Sequence, residues 1–419
     1  MKKHTQSPYE SSEISYKPSG IKWLGEIPQS WKNVSIRSCF TESNQRCNTD
    51  SYPLLSVTIA NGIIYQDDIE NKKDISNDDK SNYKIVPLNA VAYNKMRMWQ
   101  GAVGVNTLTI GIVSPAYIVA IPNEKILPNF VSYLFKSKIM ISEFDKNSYG
   151  LCLDMNNLRY DDFRNIKIPL PPLQEQKEIA EFLDSKCEKI QNYIEKKQKL
   201  ITLLQEKKQA LINEVVTKGL NPNIEFKNSE IAYLGLIPHH WEVRRMKFMA
   251  SIHNGREQTE IADENGIYPI YGSGGILGKS MYFIYDKPSV LLGRKGTIDK
   301  PLFVEEPFWT IDTMFYTSVS KIVLPKYFYY LCLTIDFQFY ISGSAIPSMT
   351  QYDLANISFA LPPLQEQKQI ANFLDEKCEK INSAIEKTKK QIELVKEYKN
   401  TFINEAVCGR INLQKKERI

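Results

Sequence analysis

Two short motifs each occur twice in the sequence, and this repetition constrains the fold more than any other feature. Leu-Pro-Pro-Leu-Gln-Glu-Gln-Lys occupies residues 170–177 and again 361–368; we call it the Pro-Pro motif. Leu-Gly-x-Ile-Pro-x-x-Trp occupies residues 24–31 and again 234–241; we call it the Trp motif. Because a self-similar chain folds as copies of one unit, the sequence predicts a tandem duplication.

The two inserts between the motifs differ in length and in sequence. The first runs from Trp31 to Leu170, and the second covers a shorter distance from Trp241 to Leu361. Divergent inserts within a retained frame are typical of one task performed on two different targets. A duplication whose loops drifted would give the same pattern, because loops tolerate change. Both interpretations stay open at this point.

Each Pro-Pro motif is predicted to open a long helix. Proline is well placed at a helix start, where its missing N–H would have no partner in any case. Neither Pro nor Gly occurs from Leu173 to Lys218 or from Leu364 to Cys408. Gly219 and Gly409 then supply the glycine that commonly ends a helix.

Both predicted helices carry the same apolar stripe. Apolar residues recur mostly at steps of three, four or seven, which is the spacing of a coiled-coil seam. Polar residues interrupt the two stripes at matching positions, Lys197 and Lys208 in one and Thr388 and Lys399 in the other. The predicted seam consists of Ile179, Leu183, Ile190, Ile194, Ile201, Leu204, Leu211, Ile370, Leu374, Ile381, Ile385, Ile392, Val395 and Phe402.

Neither stripe can be buried by its own helix, so the two helices are expected to pack on each other. A helix that returns the chain beside its partner is antiparallel to it. We therefore predict an α+β fold in which two mixed α/β domains, residues 16–169 (domain 1) and 220–360 (domain 2), are separated by a pair of long antiparallel coiled-coil helices. The helices are assigned to residues 170–219 and 361–409, and the whole is expected to be a pseudo-twofold tandem repeat.

A polar cluster in domain 1 is a candidate nucleic-acid contact. Asn94, Lys95, Arg97, Trp99 and Gln100 fall within seven consecutive positions. Arginine and amide side chains read base edges, and lysine holds phosphates. Such clusters also occur on ordinary strand–loop surfaces, which is the alternative interpretation.

Domain 2 offers a different cluster with the same potential. Ser273 lies in a glycine-rich stretch that fails the phosphate-loop pattern by one residue. The pattern requires its first glycine at the position that Ser273 occupies. A glycine-rich turn that lets the backbone approach a ligand is the better interpretation. Arg294, Lys295 and Thr297 follow in a Gly-Arg-Lys-Gly segment, which is equally consistent with a solvated hairpin tip.

Composition permits these assignments without requiring them. The chain has 53 Lys and Arg against 48 Asp and Glu, a mild net charge of +5, and is 42% hydrophobic. Its four histidines and seven cysteines show no metal-ligand spacing, and no familiar catalytic motif is present. No secretory leader or membrane-spanning run is seen, so a cytoplasmic protein is expected. A non-enzymatic scaffold that binds proteins, and a nuclease with scattered Asp, Glu and Lys residues, remain alternatives.

From about Tyr16 to Leu413, the chain resembles the DNA-specificity subunit of type I restriction–modification systems. The doubled Pro-Pro and Trp motifs carry the resemblance, together with Met-Arg-Met-Trp-Gln-Gly at 96–101 and Gly-Arg-Lys-Gly at 293–296. It implies two target-recognition domains that each read one half of a split double-stranded DNA target. It also implies that the helices bind two modification subunits, which carry S-adenosylmethionine, and that restriction subunits using ATP and magnesium join them. This chain itself is then expected to hold no cofactor and no metal and to have no catalytic activity.

The resemblance places the two polar clusters at or near DNA, and the unlike inserts imply an asymmetric target. Equivalent faces of DNA recur about every 10 bp, or ~34 Å. A helix of ~46 residues is ~69 Å long, so tilt or DNA bending must absorb the difference. The helix pair is therefore expected to act as a ruler between the half-sites.

Overall fold

The computed structural model describes residues 15–47, 52–69, 80–150, 156–341 and 347–411. The chain packs as two compact units. The first unit combines Met1–Lys196 with Gln391–Ile419, and the second is Lys197–Lys390. Because both divisions fall inside the long helices, each unit contains part of each helix. The boundaries predicted at 169, 219 and 360 follow the repeats rather than the packing, and they stay a prediction.

The first unit contains strands β1 to β12, three short helices, and part of each long helix. The strands are β1 (Tyr16–Pro18), β2 (Glu26–Pro28), β3 (Lys32–Ser35), β4 (Phe40–Ser43), β5 (Leu55–Thr58), β6 (Gly62–Tyr65), β7 (Lys84–Val86), β8 (Val91–Asn94), β9 (Val103–Val105), β10 (Gly111–Val113), β11 (Tyr117–Pro122) and β12 (Lys167–Leu170). The helices are α1 (Pro128–Lys136), α2 (Lys138–Lys146), α3 (Tyr160–Phe163) and the start of α4 (Leu173–Lys218).

The second unit repeats this order with different lengths. Its strands are β13 (Phe226–Asn228), β14 (Leu236–Pro238), β15 (Glu242–Arg245), β16 (Ala250–Asn254), β17 (Tyr268–Gly272), β18 (Gly275–Ser280), β19 (Ser289–Gly293), β20 (Leu302–Val304), β21 (Trp309–Thr310), β22 (Met314–Val319) and β23 (Ser358–Leu361). Its helices are the end of α4, α5 (Pro325–Cys332), α6 (Gln351–Asn356) and the start of α7 (Leu364–Val407).

The two long helices confirm the prediction made from the Pro-Pro motifs. Helix α4 has 46 residues and α7 has 44. Gly219 and Gly409 follow them with φ of 76° and 75°, a left-handed conformation that glycine adopts at little cost.

Within each unit the two helix segments pack in opposite directions. In the first unit, Phe182 near the start of α4 lies 5.4 Å, ring to ring, from Phe402 near the end of α7. In the second unit, Ile212 and Val216 near the end of α4 share a core with Leu374 near the start of α7. The antiparallel arrangement is therefore confirmed separately in each unit.

The predicted seam divides into buried and half-buried positions. The buried residues are Ile179, Leu183, Ile201, Ile370, Leu374, Ile385, Ile392 and Phe402. The half-buried residues are Ile190, Ile194, Leu204, Leu211, Ile381 and Val395. At one interruption of the stripe, Lys208 Nζ donates a 2.9 Å hydrogen bond to Asn382 Oδ1 on the other helix. The polar interruption is thus satisfied by a polar partner rather than left buried alone.

Both units contain the same four-stranded antiparallel sheet, although the inserts have different sequences. The strand order is β4-β11-β8-β9 in one and β16-β22-β19-β20 in the other. Across each sheet, the strands that come first, fourth, second and third in the sequence lie side by side in that order. The ends of each insert also pair, since β3 joins β12 and β15 joins β23. Each insert is therefore closed at its base, which leaves its interior loops able to differ.

Candidate nucleic-acid interface

The two repeated motifs bind each other in each unit. Trp31 Nε1 donates to Glu175 Oε2 at 2.6 Å, and Trp241 Nε1 donates to Glu366 Oε2 at 3.0 Å. The second carboxylate oxygen of Glu175 accepts from Ser30 Oγ at 2.9 Å. A charged acceptor makes these bonds stronger than neutral ones. The tryptophan of one motif therefore fixes the start of the long helix built from the other.

A buried glutamine completes the same junction. Gln176 is fully buried; its Nε2 donates to Pro171 O at 2.9 Å and Lys125 O at 3.0 Å, and its Oε1 accepts from Leu127 N at 2.8 Å. Gln367 makes the matching three bonds in the second unit, to Pro362 O, Ile322 O and Leu324 N. Each glutamine ties the long helix to the segment that precedes α1 or α5. Sequence reasoning found both motifs but missed this contact; their joint duplication was the available signal.

A tyrosine on α1 or α5 holds that helix against the long helix. Tyr133 OH donates to Asp184 Oδ1 at 2.5 Å, and Tyr330 OH donates to Asp375 Oδ1 at 2.6 Å. Burial, followed by the hydrogen bond to the aspartate, raises the pKa of both tyrosines well above the ordinary value. Both hydroxyls therefore keep their protons and remain donors. These three contacts, which are the Trp–Glu bond, the glutamine bonds and the Tyr–Asp bond, form the frame around each insert. The frame is the same in both units.

The predicted cluster of domain 1 lies in the connection between β8 and β9, residues 94–102, which we call loop 1. Trp99 Nε1 donates to Met96 O at 3.0 Å, and Met96 N donates to Asn94 Oδ1 at 3.0 Å. The next turn is a 3-10 helix, Met98–Gln100, which ends at Gly101 with φ of 90°. These local bonds fold loop 1 tightly on itself.

Some of the predicted side chains of loop 1 are exposed, and others are partly buried. Arg97 is exposed, whereas Lys95 and Trp99 are half-buried. Met98 is fully buried and anchors the loop in the core. Gln100 Oε1 is buried and has no hydrogen-bond partner among the described residues. Arg97 is therefore the member of the predicted cluster best placed to meet a ligand.

Asn94 is the last residue of β8 and lies at the base of loop 1, where its side chain makes contacts within the domain. It faces Tyr117 of β11 in the register of the sheet. Burial raises the pKa of Tyr117, while a hydrogen bond that the Asn94 side-chain amide donates to its hydroxyl oxygen lowers it. Asn94 is thus already engaged on two sides, by Tyr117 and by the Met96 amide.

The predicted cluster of domain 2 lies in the connection between β19 and β20, residues 293–301, which we call loop 2. Arg294 N donates to Thr313 O at 2.8 Å, and Ser273 N donates to Thr313 Oγ1 at 3.3 Å. A Cβ added to Gly296 would lie 3.0 Å from Ser273 Oγ. The structure therefore brings together Ser273 and loop 2, which the sequence presents as two separate motifs.

Backbone packing sets the form of loop 2. A Cβ on Gly293 would lie 2.3 Å from Thr297 O, so only glycine fits there. Arg294 is half-buried, and its Nη1 donates to Asp312 O at 3.2 Å. Lys295 is exposed. Of the two predicted cations, Arg294 and Lys295, Lys295 is therefore the more open to a ligand.

Loops 1 and 2 occupy equivalent positions in their two sheets. Each connects the second and third strands of its sheet in sequence order. Loop 1 carries Asn, Lys, Arg, Trp and Gln, whereas loop 2 carries Arg, Lys and Thr. The fold thus aligns two candidate clusters whose residues show no common pattern.

Across the described ranges, no group of three or more His, Cys, Asp or Glu side chains could hold a metal ion. Within the same part of the chain, no helix is long and apolar enough to cross a membrane.

Comparison with known proteins identifies relatives over nearly the whole chain. The family model described as "Type I restriction modification DNA specificity domain" matches residues 30–205 and 238–394. The putative type I restriction enzyme MjaX specificity subunit of Methanocaldococcus jannaschii is 25% identical, over 93% of this chain and 96% of the relative. The type I restriction enzyme MjaVIII specificity subunit of the same organism is 28% identical, over 73% of this chain and 75% of the relative.

Solved structures show the same fold. A chain from a study of complex assembly and conformational transition of the type I R-M system superposes with a TM-score of 0.72 at 15% identity, covering 92% of this chain and 99% of that one. The HsdS subunit from Thermoanaerobacter tengcongensis gives a TM-score of 0.52 at 16% identity, covering 92% of this chain and 98% of its own.

Proposed function

Because the chain belongs to the type I restriction modification DNA specificity family, we propose that it reads a bipartite, asymmetric target in double-stranded DNA, with one half-site for each domain. The relatives named above are specificity subunits. The chain accordingly takes the recognition role and no catalytic step. The observation that carries the proposal is the equivalent placement of loops 1 and 2 on two copies of one sheet.

The chemistry of the loops supports different half-sites. Arg97 is exposed in loop 1, and an arginine fork pairs with guanine in the major groove. Lys295 is exposed in loop 2, next to Gly296 against which the Ser273 hydroxyl lies, and it suits a phosphate or a guanine edge. Two loops of different chemistry on equivalent sheets favour two different base sequences.

The long helices take the remaining two tasks in this proposal. They set the spacing between the half-sites, because a continuous helix has a fixed rise per residue. They also bind two modification subunits, and restriction subunits join the assembly. S-adenosylmethionine, ATP and magnesium are then bound by those partners. The matched Tyr–Asp and Trp–Glu contacts support this, since they attach the long helices to both units in the same way.

The test is to map modified bases in the DNA of a host that expresses the chain with its modification subunits. The wild type should give one split motif. Arg97→Ala should relax one half, and Lys295→Ala should relax or weaken the other. Lys125→Ala and Lys321→Ala, which remove exposed lysines away from both loops, serve as matched controls and should leave the motif unchanged. A protein-binding scaffold would give no split motif with the wild type.

A further inference from the structure

A half-buried lysine in domain 1, Lys136, joins loop 1 to a hairpin that has no assigned task. Lys136 Nζ donates to Gly101 O of loop 1 at 2.9 Å, and to Thr58 O at 3.1 Å and Ile59 O at 2.7 Å. Thr58 ends β5, and residues 59–61 form the turn that leads into β6. An ammonium has three donors, and all three are used here on backbone carbonyls. The lysine thus holds the turn at residues 59–61 beside loop 1.

The backbone reinforces this contact. A Cβ on Gly104 of β9 would lie 2.7 Å from Ile63 N and 3.0 Å from Gly62 Cα, so the hairpin lies directly against the strand that follows loop 1. Gly62 itself has a φ of 70° and lies against the Lys136 side chain. The position of the turn is therefore fixed from two sides.

Domain 2 has the corresponding arrangement without the lysine. Its hairpin, β17–β18, also follows the first strand of the sheet, and Ser273 at its tip lies against Gly296 of loop 2. Pro128 and Pro325 begin α1 and α5, and eight residues further on the chain has Lys136 in one and Leu333 in the other. In both domains a hairpin tip adjoins the candidate reading loop, but among the described residues only domain 1 uses a half-buried cation to hold it there.

The turn in domain 1 presents side chains suited to bases. Ile59 is 46% exposed, and Asn61 is exposed as well. An asparagine amide pairs with adenine, and an apolar side chain contacts the thymine methyl group. A hydrogen bond from Asn61 N to Thr58 Oγ1, at 3.0 Å, keeps the turn closed.

We propose that the turn at residues 59–61 is a second part of the DNA-reading surface of domain 1, in which Asn61 contacts a base edge and Lys136 is a positioning residue. The proposal rests on the proposed function and adds a contact to it. Lys136 itself touches no base, because its donors are already bound to carbonyls.

The test is the base preference of the complete complex with its modification subunits, read by mapping modified sites and by competition binding to variant DNA duplexes. Asn61→Ala removes an exposed side chain and leaves the fold intact. It should relax the preference at one or two positions of the first half-site, with a loss of roughly 5- to 150-fold in affinity for the correct base. The second half-site should be unchanged. Asn129→Ala, an exposed asparagine on α1, is the matched control and should alter neither half.

Lys136→Met then tests positioning. It should relax the same positions as Asn61→Ala, and the double variant should lose no more at those positions than Lys136→Met alone. A purely structural lysine would instead lower all DNA binding without a change in base preference. Retention of the second half-site in the same sample shows that the complex has assembled.

Two results would overturn the proposal and separate it from the proposed function. If Arg97→Ala relaxes the first half-site while Asn61→Ala changes nothing, the turn is outside the reading surface although the function stands. If Lys136→Met relaxes positions that Asn61→Ala leaves intact, Lys136 does not act through the turn. If no variant of loop 1 or of the turn affects either half-site, both the function and the added contact fail.

Discussion

Domains 1 and 2 share a frame and differ in what the frame holds. In both, a tryptophan binds a glutamate, a buried glutamine binds three backbone groups, and a tyrosine binds an aspartate. The reading loops, by contrast, are fixed by different means. Loop 1 is anchored by buried Met98 and by Lys136, whereas loop 2 is anchored by Thr313 and by glycines.

The difference between the shared frame and the unlike loops indicates which parts of each domain can change in sequence. Contacts of the frame go largely to backbone atoms or to a few side chains at the ends of each insert, and paired strands close the base of each insert. The loops contact mainly other parts of their own insert. A new insert can therefore replace an old one provided that it keeps the contacts of the frame.

The largest effect is expected from exchange of a whole insert. Residues 35–165 replaced by the corresponding segment of another family member should give a new first half-site and leave the second unchanged. The donor should carry a tyrosine in place of Tyr133, because Asp184 would otherwise lose its hydroxyl partner. Mapping of modified bases in a host expressing the chimera measures this. Changes in both halves would show that the two domains do not read independently.

A smaller effect is expected from lengthening both helices together. Seven residues inserted after Lys199 and seven after Lys390, which are matching positions of the repeat, keep the seam in register. Each insertion adds ~10 Å of helix, which corresponds to about 3 bp of DNA. We expect the unread spacer to lengthen and both half-sites to stay the same, as read by the same mapping. Altered half-sites with an unchanged spacer would contradict the ruler.

The long helices were predictable from the sequence, and the sheets were not. Proline at the start, glycine at the end and a repeated apolar step are local signals, and the helices begin and end where those signals lie. The pairing of β8 with β11, or of β19 with β22, joins short strands that two other strands separate in the sequence, and no local signal specifies such a pairing.

The candidate site was predictable in its residues but not in their orientation. The polar types in loop 1 identified Arg97 and Gln100 alike, yet the structure exposes one and buries the amide oxygen of the other. Burial depends on what packs above the loop, here α2 and α1, whose positions are set by tertiary contacts. The role of Lys136 was not predictable for the same reason, since it depends on tertiary contacts. In the sequence Lys136 is an ordinary basic residue at the end of a helix.

The glutamines of the frame test whether the two domains are held equally. Gln176→Ala and Gln367→Ala each leave three backbone groups, one buried and two partly buried, without their partner. Each should lower the free energy of unfolding by about 1–3 kcal/mol, by a similar amount in both. Gln174→Ala, at an exposed helix position, is the matched control and should cost no more than about 0.5 kcal/mol. Urea unfolding of the three variants measures this, and unequal losses would show that the frames differ in strength.

The smallest expected effect is the pH dependence that Lys136 contributes. Burial lowers the pKa of Lys136 from 10.5 to about 8. Between those two values the unfolded chain binds more protons than the folded chain, so the contribution of Lys136 to the free energy of unfolding rises as the pH increases. When the pH is raised from about 7 to about 9.5, the free energy of unfolding in urea should therefore change more favourably in the wild type than in Lys136→Met, since the other titrating groups are common to both. Lys125→Met, which changes an exposed lysine of the same domain, should follow the wild type. Because Leu333 stands at the corresponding position of domain 2, an equal change in the wild type and in Lys136→Met would mean that the half-buried Lys136 makes no pH-dependent difference between the two domains.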